Sequence, residues 1–209
     1  PGVEIWQELR GKSVYPVTAG EKSSYASISK TKTFAPPTSN AEYLFAQLMR
    51  NMESACIKAR RYSLAPNRIV VFLKKQDFHS VGSEAKLSRP CACPLEFSDV
   101  IHELFDACYR PRDVYRATGV VLLDLEADAN IQYTLFDNPV QAEKIKDLYH
   151  VADELGQKFG KHTVHLGSPH LIDKLGKGRR GTPTVREQTR MLGETNRRHL
   201  GLPLLHIKI

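Results

Sequence analysis

The chain has 209 residues, 41% of them hydrophobic, and carries a formal net charge of +7 with a pI near 9.3. This hydrophobic content can form a buried core, which excludes a wholly disordered chain. No apolar run approaches the roughly 18 residues of a membrane span, so we expect a cytoplasmic protein without membrane contact. The positive charge favours a polyanionic partner, although a basic pI alone is weak support for one.

The first residues predict the end of a helix followed by a linker. Apolar residues at Val3, Ile5, Trp6 and Leu9 have helical spacing, and residues 11–22 have few apolar anchors. The next stretch, 23–34, is rich in Ser, Thr and β-branched residues, which is typical of a strand, and we expect it to break at Ala35-Pro36-Pro37.

Three later stretches have the apolar periodicity of amphipathic helices. The first follows a Ser39-x-x-Glu42 capping box and runs to Arg60-Arg61, where the two cations suit either a helix C-terminus or DNA contact. The second starts at Pro94, with an apolar stripe from Phe97 to Cys108. The third covers 139–159 and ends before Gly160.

Three further strands are predicted at 68–78, 79–89 and 114–125. In the last of these, alternation assigns one set of residues to the buried face: Tyr115, Ala117, Val121, Leu123 and Leu125. Arg116 and Thr118 then point to the opposite face. The order β-α-β-β-α-β predicts an α+β fold, with two helices on one face of a four-stranded, mostly antiparallel sheet and the other face free.

The free face of this sheet is predicted to be polar and basic. It carries Lys86, Arg116 and one of Lys74 or Lys75. Alternation does not place Lys30 and Lys32 on this free face, because they lie on the same side of their strand as Ile28 and Phe34. Either that strand bends or its lysines lie at an edge.

Composition divides the chain into four parts: a helix remnant and linker (1–22), a sheet domain (23–125), a second linker (126–138), and a C-terminal helix with a basic tail (139–209). Within the last part, 163–166 could form a short strand. Residues 172–199 predict a basic arm with one helical piece. The four cysteines, two of them on apolar helical faces, are expected to be reduced thiols.

Four motifs together resemble the C-terminal part of a Y-family (translesion) DNA polymerase. Ser27-Ile28 through Thr33-Phe34 resembles the family's opening strand, Lys74-Lys75-Gln76-Asp77-Phe78 its Lys/Arg-rich strand, and Arg116 to Val120 its Arg-x-x-Gly-Val closing strand. Trp6 to Gly11 resembles the end of the preceding thumb domain, and a chain that begins with Pro1 is expected to be a fragment. Ser29 and Thr31 replace the Gly and Glu of the DNA polymerase IV type and favour the DNA polymerase V catalytic-subunit branch.

The resemblance implies a little-finger domain that holds primer–template DNA mostly through phosphates, in an error-prone enzyme of translesion synthesis, DNA repair and the SOS response. It implies no catalytic residue and no cofactor in this chain, because the family's palm domain, with its Mg²⁺-binding carboxylates, lies before this region. The candidate DNA-binding residues are Lys30, Lys32, Lys74, Lys75, Lys86, Arg89 and Arg116.

A second motif, Gln132-x-x-Leu135-Phe136, has the form of the peptide that bacterial polymerases insert into the sliding clamp. Leu135 and Phe136 would fill an apolar pocket and Gln132 would hydrogen-bond at its rim. The alternative is that the two apolar residues only staple the following helix.

Other chemistries are weighed and set aside. Asp124, Glu126 and Asp128 could suggest a metal-dependent nuclease, but no phosphate-binding Lys or Gly-rich loop accompanies them. Cys91-x-Cys93 and His162-x-x-His165 lack the paired spacing of a zinc site, so no metal site is predicted. The main alternative function is a protein-interaction module whose helix 139–159 docks a recombinase filament or an accessory subunit.

Overall fold

The computed structural model describes residues 2–16, 25–130, 138–170 and 172. The helices and strands are α1 (Gly2–Leu9), β1 (Ser27–Thr38), α2 (Ala41–Arg61), β2 (Leu64–Lys75), β3 (Ser80–Lys86), α3 (Ser98–Cys108), β4 (Tyr115–Ala127) and α4 (Pro139–Phe159). Short 3₁₀ turns at Pro94–Phe97 and Asp128–Asn130 precede α3 and follow β4. None of the helices in these ranges is both long and apolar enough to cross a bilayer.

The four strands form one antiparallel sheet in the order β1-β4-β2-β3. Helices α2 and α3 both lie against one face of this sheet. The predicted α+β fold and its β-α-β-β-α-β order are therefore confirmed. The order also makes β1 and β3 the two edge strands, so β1 has a hydrogen-bonded neighbour on one side only.

Helix α2 contributes more buried side chains than α3 or α4. The predicted capping box is wrong by one residue, because the N-cap is Asn40, whose Oδ1 accepts a 2.8 Å hydrogen bond from the amide of Tyr43. Thr38 Oγ1 in turn accepts from the amide of Asn40 at 3.1 Å. The N-cap is therefore the Asn40 side chain and not the Ser39 side chain that the capping box predicts.

The predicted end of the first strand is also wrong, since β1 continues through Ala35-Pro36-Pro37 to Thr38. Prolines are tolerated there because β1 is an edge strand and its register with β4 is irregular between Thr33 and Thr38, so their missing amides break no continuous ladder. The second strand begins earlier and ends earlier than predicted. Its last predicted residues, 76–78, form the turn into β3.

The predicted faces of β4 are correct only at its start. Tyr115, Thr118, Val120 and Leu122 are buried on the helix side. The register places Ala117, Val121 and Leu123 on the other side, where Ala117 is buried and the two others are half-buried. The register with β2 shifts between Lys74 and Lys75, where an extra residue of β4 forms a bulge. Because side chains alternate with a period of two, one extra residue exchanges the faces of everything beyond it.

The exchange of faces moves the polar residue Thr118 into the core. It was predicted on the free face, but it is fully buried beneath α2. The Asn51 side-chain amide donates to Thr118 Oγ1 at 2.9 Å and to its carbonyl oxygen at 3.1 Å. This pair satisfies polar groups that would otherwise be costly in the core.

Helix α4 has the predicted bounds and packs on the outer side of the helical layer. Arg60 of α2 donates two 2.7 Å hydrogen bonds to Asp153, and its Nη1 donates to the carbonyl of Ala92 at 2.6 Å. The amide of Leu95 donates to the Tyr149 hydroxyl at 2.9 Å. Arg60 therefore has a structural role.

After α4, residues 163–166 form a turn and coil, so the suggested strand there is wrong. The predicted basic arm, 172–199, lies outside the described residues except for residue 172.

All four cysteines, which were expected to be reduced thiols, are free and buried.

Candidate nucleic-acid interface

The face of the sheet opposite α2 and α3, which we call the open face, is built from four rows of side chains that the strand register brings side by side. One row is Ser27, Leu123, Arg68 and Lys86, and the next is Ser29, Val121, Val70 and Glu84. Then come Thr31, Gly119, Phe72 and Gly82, followed by Thr33, Ala117, Lys74 and Ser80. Hydroxyls line the β1 edge, and no described helix covers this face.

Three of the seven predicted DNA-binding residues lie on the open face: Lys74, Lys86 and Arg116. Lys74 and Lys86 stand near opposite ends of the sheet, with Arg116 close to Lys74 in the bulge of β4. None of the three pairs with a carboxylate within the described ranges. Their positive charges therefore face solvent, on the side of the sheet that does not pack against the helices.

The remaining four candidates do not share this face. The register places Lys30 opposite Val120 and Lys32 opposite Thr118, so both lie on the helix side of edge strand β1, where they are exposed. Lys75 Nζ pairs with Asp113 at 2.7 Å, which raises the pKa of Lys75, and Arg89 pairs with Glu96. The seven cations therefore do not form one cluster: Lys74, Lys86 and Arg116 share the open face, and edge position or local ion pairs separate the other four.

Phe78 is a residue of this surface that the sequence reasoning missed. It lies in the β2–β3 turn with 64% of its surface exposed. Arg116 Cζ lies 4.3 Å and Lys74 Nζ 5.4 Å from its ring centroid, so the ring lies between two cations. Its backbone is left-handed, with φ of 73°, a conformation that is strained for a bulky residue and often marks function. The sequence feature that could have identified Phe78 is the Asp77-Phe78 pair that ends the Lys/Arg-rich motif.

Arg68 is a second missed residue, and it makes one end of the open face nearly neutral. Its Nε lies 3.0 Å from Asp124 Oδ2, and its Nη1 lies 3.6 Å from Glu84 Oε2. The pKa of Arg68 is raised, first by the hydrogen bond from its guanidinium to Asp124. Lys74, Arg116 and Phe78 thus concentrate the positive character near the β2–β3 turn, whereas Lys86 lies at the other end, next to Arg68.

Gly119 explains why the Arg-x-x-Gly-Val motif needs its glycine. A Cβ added at Gly119 would lie 2.1 Å from Phe72 Cζ and 2.4 Å from Phe72 Cε1. The Phe72 ring therefore lies directly over the Gly119 backbone. Because the ring lies flat on the backbone, no side chain of the described residues projects from the middle of the open face. Such a surface suits a broad, flat ligand better than a small one.

Two of the three carboxylates considered for a metal form ion pairs with cations of the chain. Asp124 pairs with Arg68, and Asp128 Oδ2 lies 2.8 Å from Lys146 Nζ. Over the described part of the chain, no group of three or more His, Cys, Asp and Glu side chains could hold a metal ion.

The motif residues Gln132, Leu135 and Phe136 lie outside the described residues. The described chain ends before them at the turn Asp128–Asn130 and resumes at Asn138, whose side chain accepts a hydrogen bond from the amide of Gln141 and caps α4.

Residues 25–135 match the model of the impB/mucB/samB family C-terminal domain. This is more than half of the 209-residue chain, and the chain therefore belongs to that family. The resemblance to the C-terminal part of a Y-family DNA polymerase, inferred from the sequence motifs, is confirmed.

Among curated proteins, the chain is 23% identical over 168 residues to a DNA polymerase IV of Acetivibrio thermocellus, covering 79% of this chain and 42% of that protein. It thus spans less than half of that relative's length. Two solved structures are similar to it at low identity. A Y-family DNA polymerase chimera is 19% identical over 59% of this chain and 34% of its own, with a TM-score of 0.40. The little finger domain of PolIV, solved in complex with the beta-clamp processivity factor, is 18% identical over 53% of this chain and 99% of its own, with a TM-score of 0.38.

Proposed function

We propose that this chain is the non-catalytic DNA-gripping part of an error-prone Y-family DNA polymerase that acts in translesion synthesis and DNA repair. The observation that carries the proposal is the open face, a broad sheet surface with unpaired cations on one side of a packed core. The family assignment supports it, and the DNA polymerase IV relative makes primer–template DNA the expected ligand.

The chemistry of the open face suits phosphates better than bases. Lysine and arginine neutralise backbone charge, and the hydroxyls of the β1 edge can donate to phosphate oxygens. A flat sheet does not enter a groove deeply enough to read many base edges. Phe78 adds an aromatic ring held between Lys74 and Arg116, which could pack against sugar or an exposed base.

The proposal is tested by reversing three charges, Lys74→Glu, Lys86→Glu and Arg116→Glu, and measuring primer–template affinity by fluorescence anisotropy across a salt series. We expect wild-type dissociation constants on the order of micromolar or weaker, and a salt slope that decreases by about 0.9 for each lost phosphate contact. The matched control is Lys32→Glu, which reverses a cation on the other side of the sheet. Affinity in the triple variant equal to wild type would refute the open face as the DNA site.

We propose further that the peptide with Gln132, Leu135 and Phe136 tethers this chain to a bacterial sliding clamp. Two adjacent apolar anchors and a rim amide are sufficient to recognise an apolar pocket. The double variant Leu135→Ala with Phe136→Ala should abolish binding to the clamp in surface plasmon resonance, whereas Thr134→Ala, between the recognition positions, should leave it unchanged. Clamp affinity that survives the double variant would end this part of the proposal.

A second candidate function rests on α4, whose exposed apolar side chains suit a protein partner such as a recombinase filament or an accessory subunit. Val140, Leu148, Val151 and Phe159 are each more than half exposed, at 62%, 56%, 52% and 63%. Under this alternative, DNA affinity would stay unchanged in the open-face triple variant, and Leu148→Glu with Val151→Glu would instead abolish capture of the partner.

A further inference from the structure

On the helix side of the sheet, a cavity of about 300 Å³ opens between the edge strand β1, helix α2 and the loop that follows α4. We call it the edge pocket. Four cations from these three segments line it: Lys30, Lys58, Arg61 and Lys161. Its other lining residues are hydroxyl-bearing or apolar, and none is acidic. It is separate from the open face, because Lys30 lies on the opposite side of β1.

None of the four cations pairs with a carboxylate within the described residues. Lys58 Nζ instead lies over the Tyr25 ring, 4.6 Å from its centroid. All four side chains belong to exposed residues, so a solute can reach them. Elsewhere on the same structure, Arg60, Arg68, Lys75 and Arg89 all have acidic partners. The cations of the edge pocket therefore resemble Lys74, Lys86 and Arg116 of the open face, which also have no acidic partner within the described residues.

The loop that carries Lys161 is fixed in place by its neighbour, His162. His162 Nδ1 lies 3.3 Å from Glu53 Oε2 and its Nε2 lies 3.0 Å from Ser54 Oγ, both on α2. The amide of Leu166 donates a 2.6 Å hydrogen bond to the other oxygen of Glu53. Glu53 is 5% exposed, so this anchor is buried. The pocket is therefore built by tertiary contacts that position a lysine from a distant part of the chain.

Holding these cations close together carries an electrostatic cost. Burial, followed by the nearby charges of Lys30, Arg61 and Arg50, lowers the pKa of Lys161. One nitrogen of Arg50, Nη1, is buried and has no hydrogen-bond partner in the described part of the molecule. An anion in the pocket would relieve this repulsion, because it gives each cation an opposite charge.

We propose that the edge pocket binds a phosphate group. Three ammonium groups and one guanidinium match the charge and the several acceptor oxygens of a phosphate, whereas a single carboxylate would neutralise less of the site. The cavity has room for more than an isolated ion, so the phosphate could belong to a nucleic-acid strand or could be free inorganic phosphate. This proposal is independent of the function assigned to the open face.

The test uses the full chain and inorganic phosphate as the probe. Amide chemical shifts are followed by NMR during titration with sodium phosphate, against sodium chloride at matched ionic strength. We expect saturable shifts centred on Lys30, Lys58 and Lys161, and an upward move of the Lys161 side-chain pKa when phosphate is present. Lys161→Ala should weaken phosphate binding by about fivefold or more, since a charge-assisted hydrogen bond is lost. The open-face control Lys86→Ala should leave it unchanged.

The proposed phosphate site would be refuted if the chemical shift changes rose linearly with phosphate concentration and spread over all surface lysines. Wild-type phosphate affinity in Lys161→Ala would refute it as well. The source of the phosphate is decided by anisotropy with a short oligonucleotide. A several-fold loss of affinity in Arg61→Ala with Lys161→Ala supports backbone phosphate, whereas unchanged oligonucleotide affinity beside weakened phosphate binding supports a free ion. The open-face triple variant should keep its phosphate shifts, so failure of the proposed DNA grip and failure of the pocket can be told apart.

Discussion

The two faces of this sheet use alternate residues of the same strands for different purposes. On the covered face, Ile69, Val71 and Leu73 of β2 are completely buried. On the open face, their neighbours Val70, Phe72 and Lys74 are only half-buried. The covered face is determined by packing, in which one wrong side chain leaves a cavity. The open face has no such constraint, so its residues are free to serve a ligand.

The contrast extends to charge. Polar groups on the covered side are satisfied within the protein, as with Asn51 and Thr118. On the open face, Lys74 and Arg116 lie over the exposed ring of Phe78 and have no carboxylate partner among the described residues. Their charges therefore remain available to a ligand.

Two adjacent leucines of β4 give the strongest test of the difference between the two faces. Leu122 is fully buried on the covered face, and Leu123 is half-buried on the open face. Leu122→Ala should lower the free energy of unfolding by about 2–5 kcal/mol, because it leaves a cavity. Leu123→Ala should cost less than about 1 kcal/mol, since the site can fill with water. Urea denaturation measures both, and equal costs would mean that the assigned β4 faces are wrong.

The buried thiols offer a second test, through pH. Burial raises the pKa of Cys56 well above its ordinary value of about 8.5. The folded state then keeps a proton that the unfolded state loses, so stability is fully present below the unfolded pKa and falls as the pH rises above it. Between pH 7.5 and 9.5 this thiol should reduce the free energy of unfolding by about 1.4 kcal/mol.

Denaturation at the two pH values measures this loss, and Cys56→Ala is the control. Alanine cannot titrate, so the pH-dependent loss should be smaller in the variant whatever its stability at pH 7.5. A loss of the same size in both proteins would show that the thiol is not shielded from solvent.

The smallest expected effect lies at the centre of the open face, where Phe72 covers Gly119. Gly119→Ala places a methyl group within the space of the Phe72 ring and should cost about 1 kcal/mol, because the ring is half-exposed and can turn away. In a Phe72→Ala background the same change should cost almost nothing. A double-mutant cycle by thermal or urea denaturation measures this coupling, and a cost that is the same in both backgrounds would exclude the ring contact as its cause.

Helices were the part of the fold that the sequence predicted well. The bounds of α4 and the buried stripe of α3 follow directly from periodicity, because a helix repeats every 3.6 residues whatever lies around it. Strand ends were less predictable. Whether Pro36 and Pro37 end β1 depends on β1 being an edge strand, and that is a property of the sheet.

The candidate site was predictable only in part for the same reason. The sequence placed Lys86 and Arg116 on the open face, but it left open whether Lys74 or Lys75 lies there with them. It could not show that Asp113 neutralises Lys75 or that Glu96 neutralises Arg89. The ring of Phe78 between two cations was equally hidden, because it depends on a left-handed turn residue.

By itself, the sequence determined the class of fold, the order of its elements and the family, because these depend on local periodicity and on short motifs. Only the tertiary structure decided which face each residue of β4 occupies, which cations remain unpaired, and that Lys161 joins Lys30, Lys58 and Arg61 around one pocket. A single bulge reverses the alternation of a strand, and ion pairs form between residues far apart in the chain. Both depend on which segments become neighbours, and that information is present only when the chain is folded.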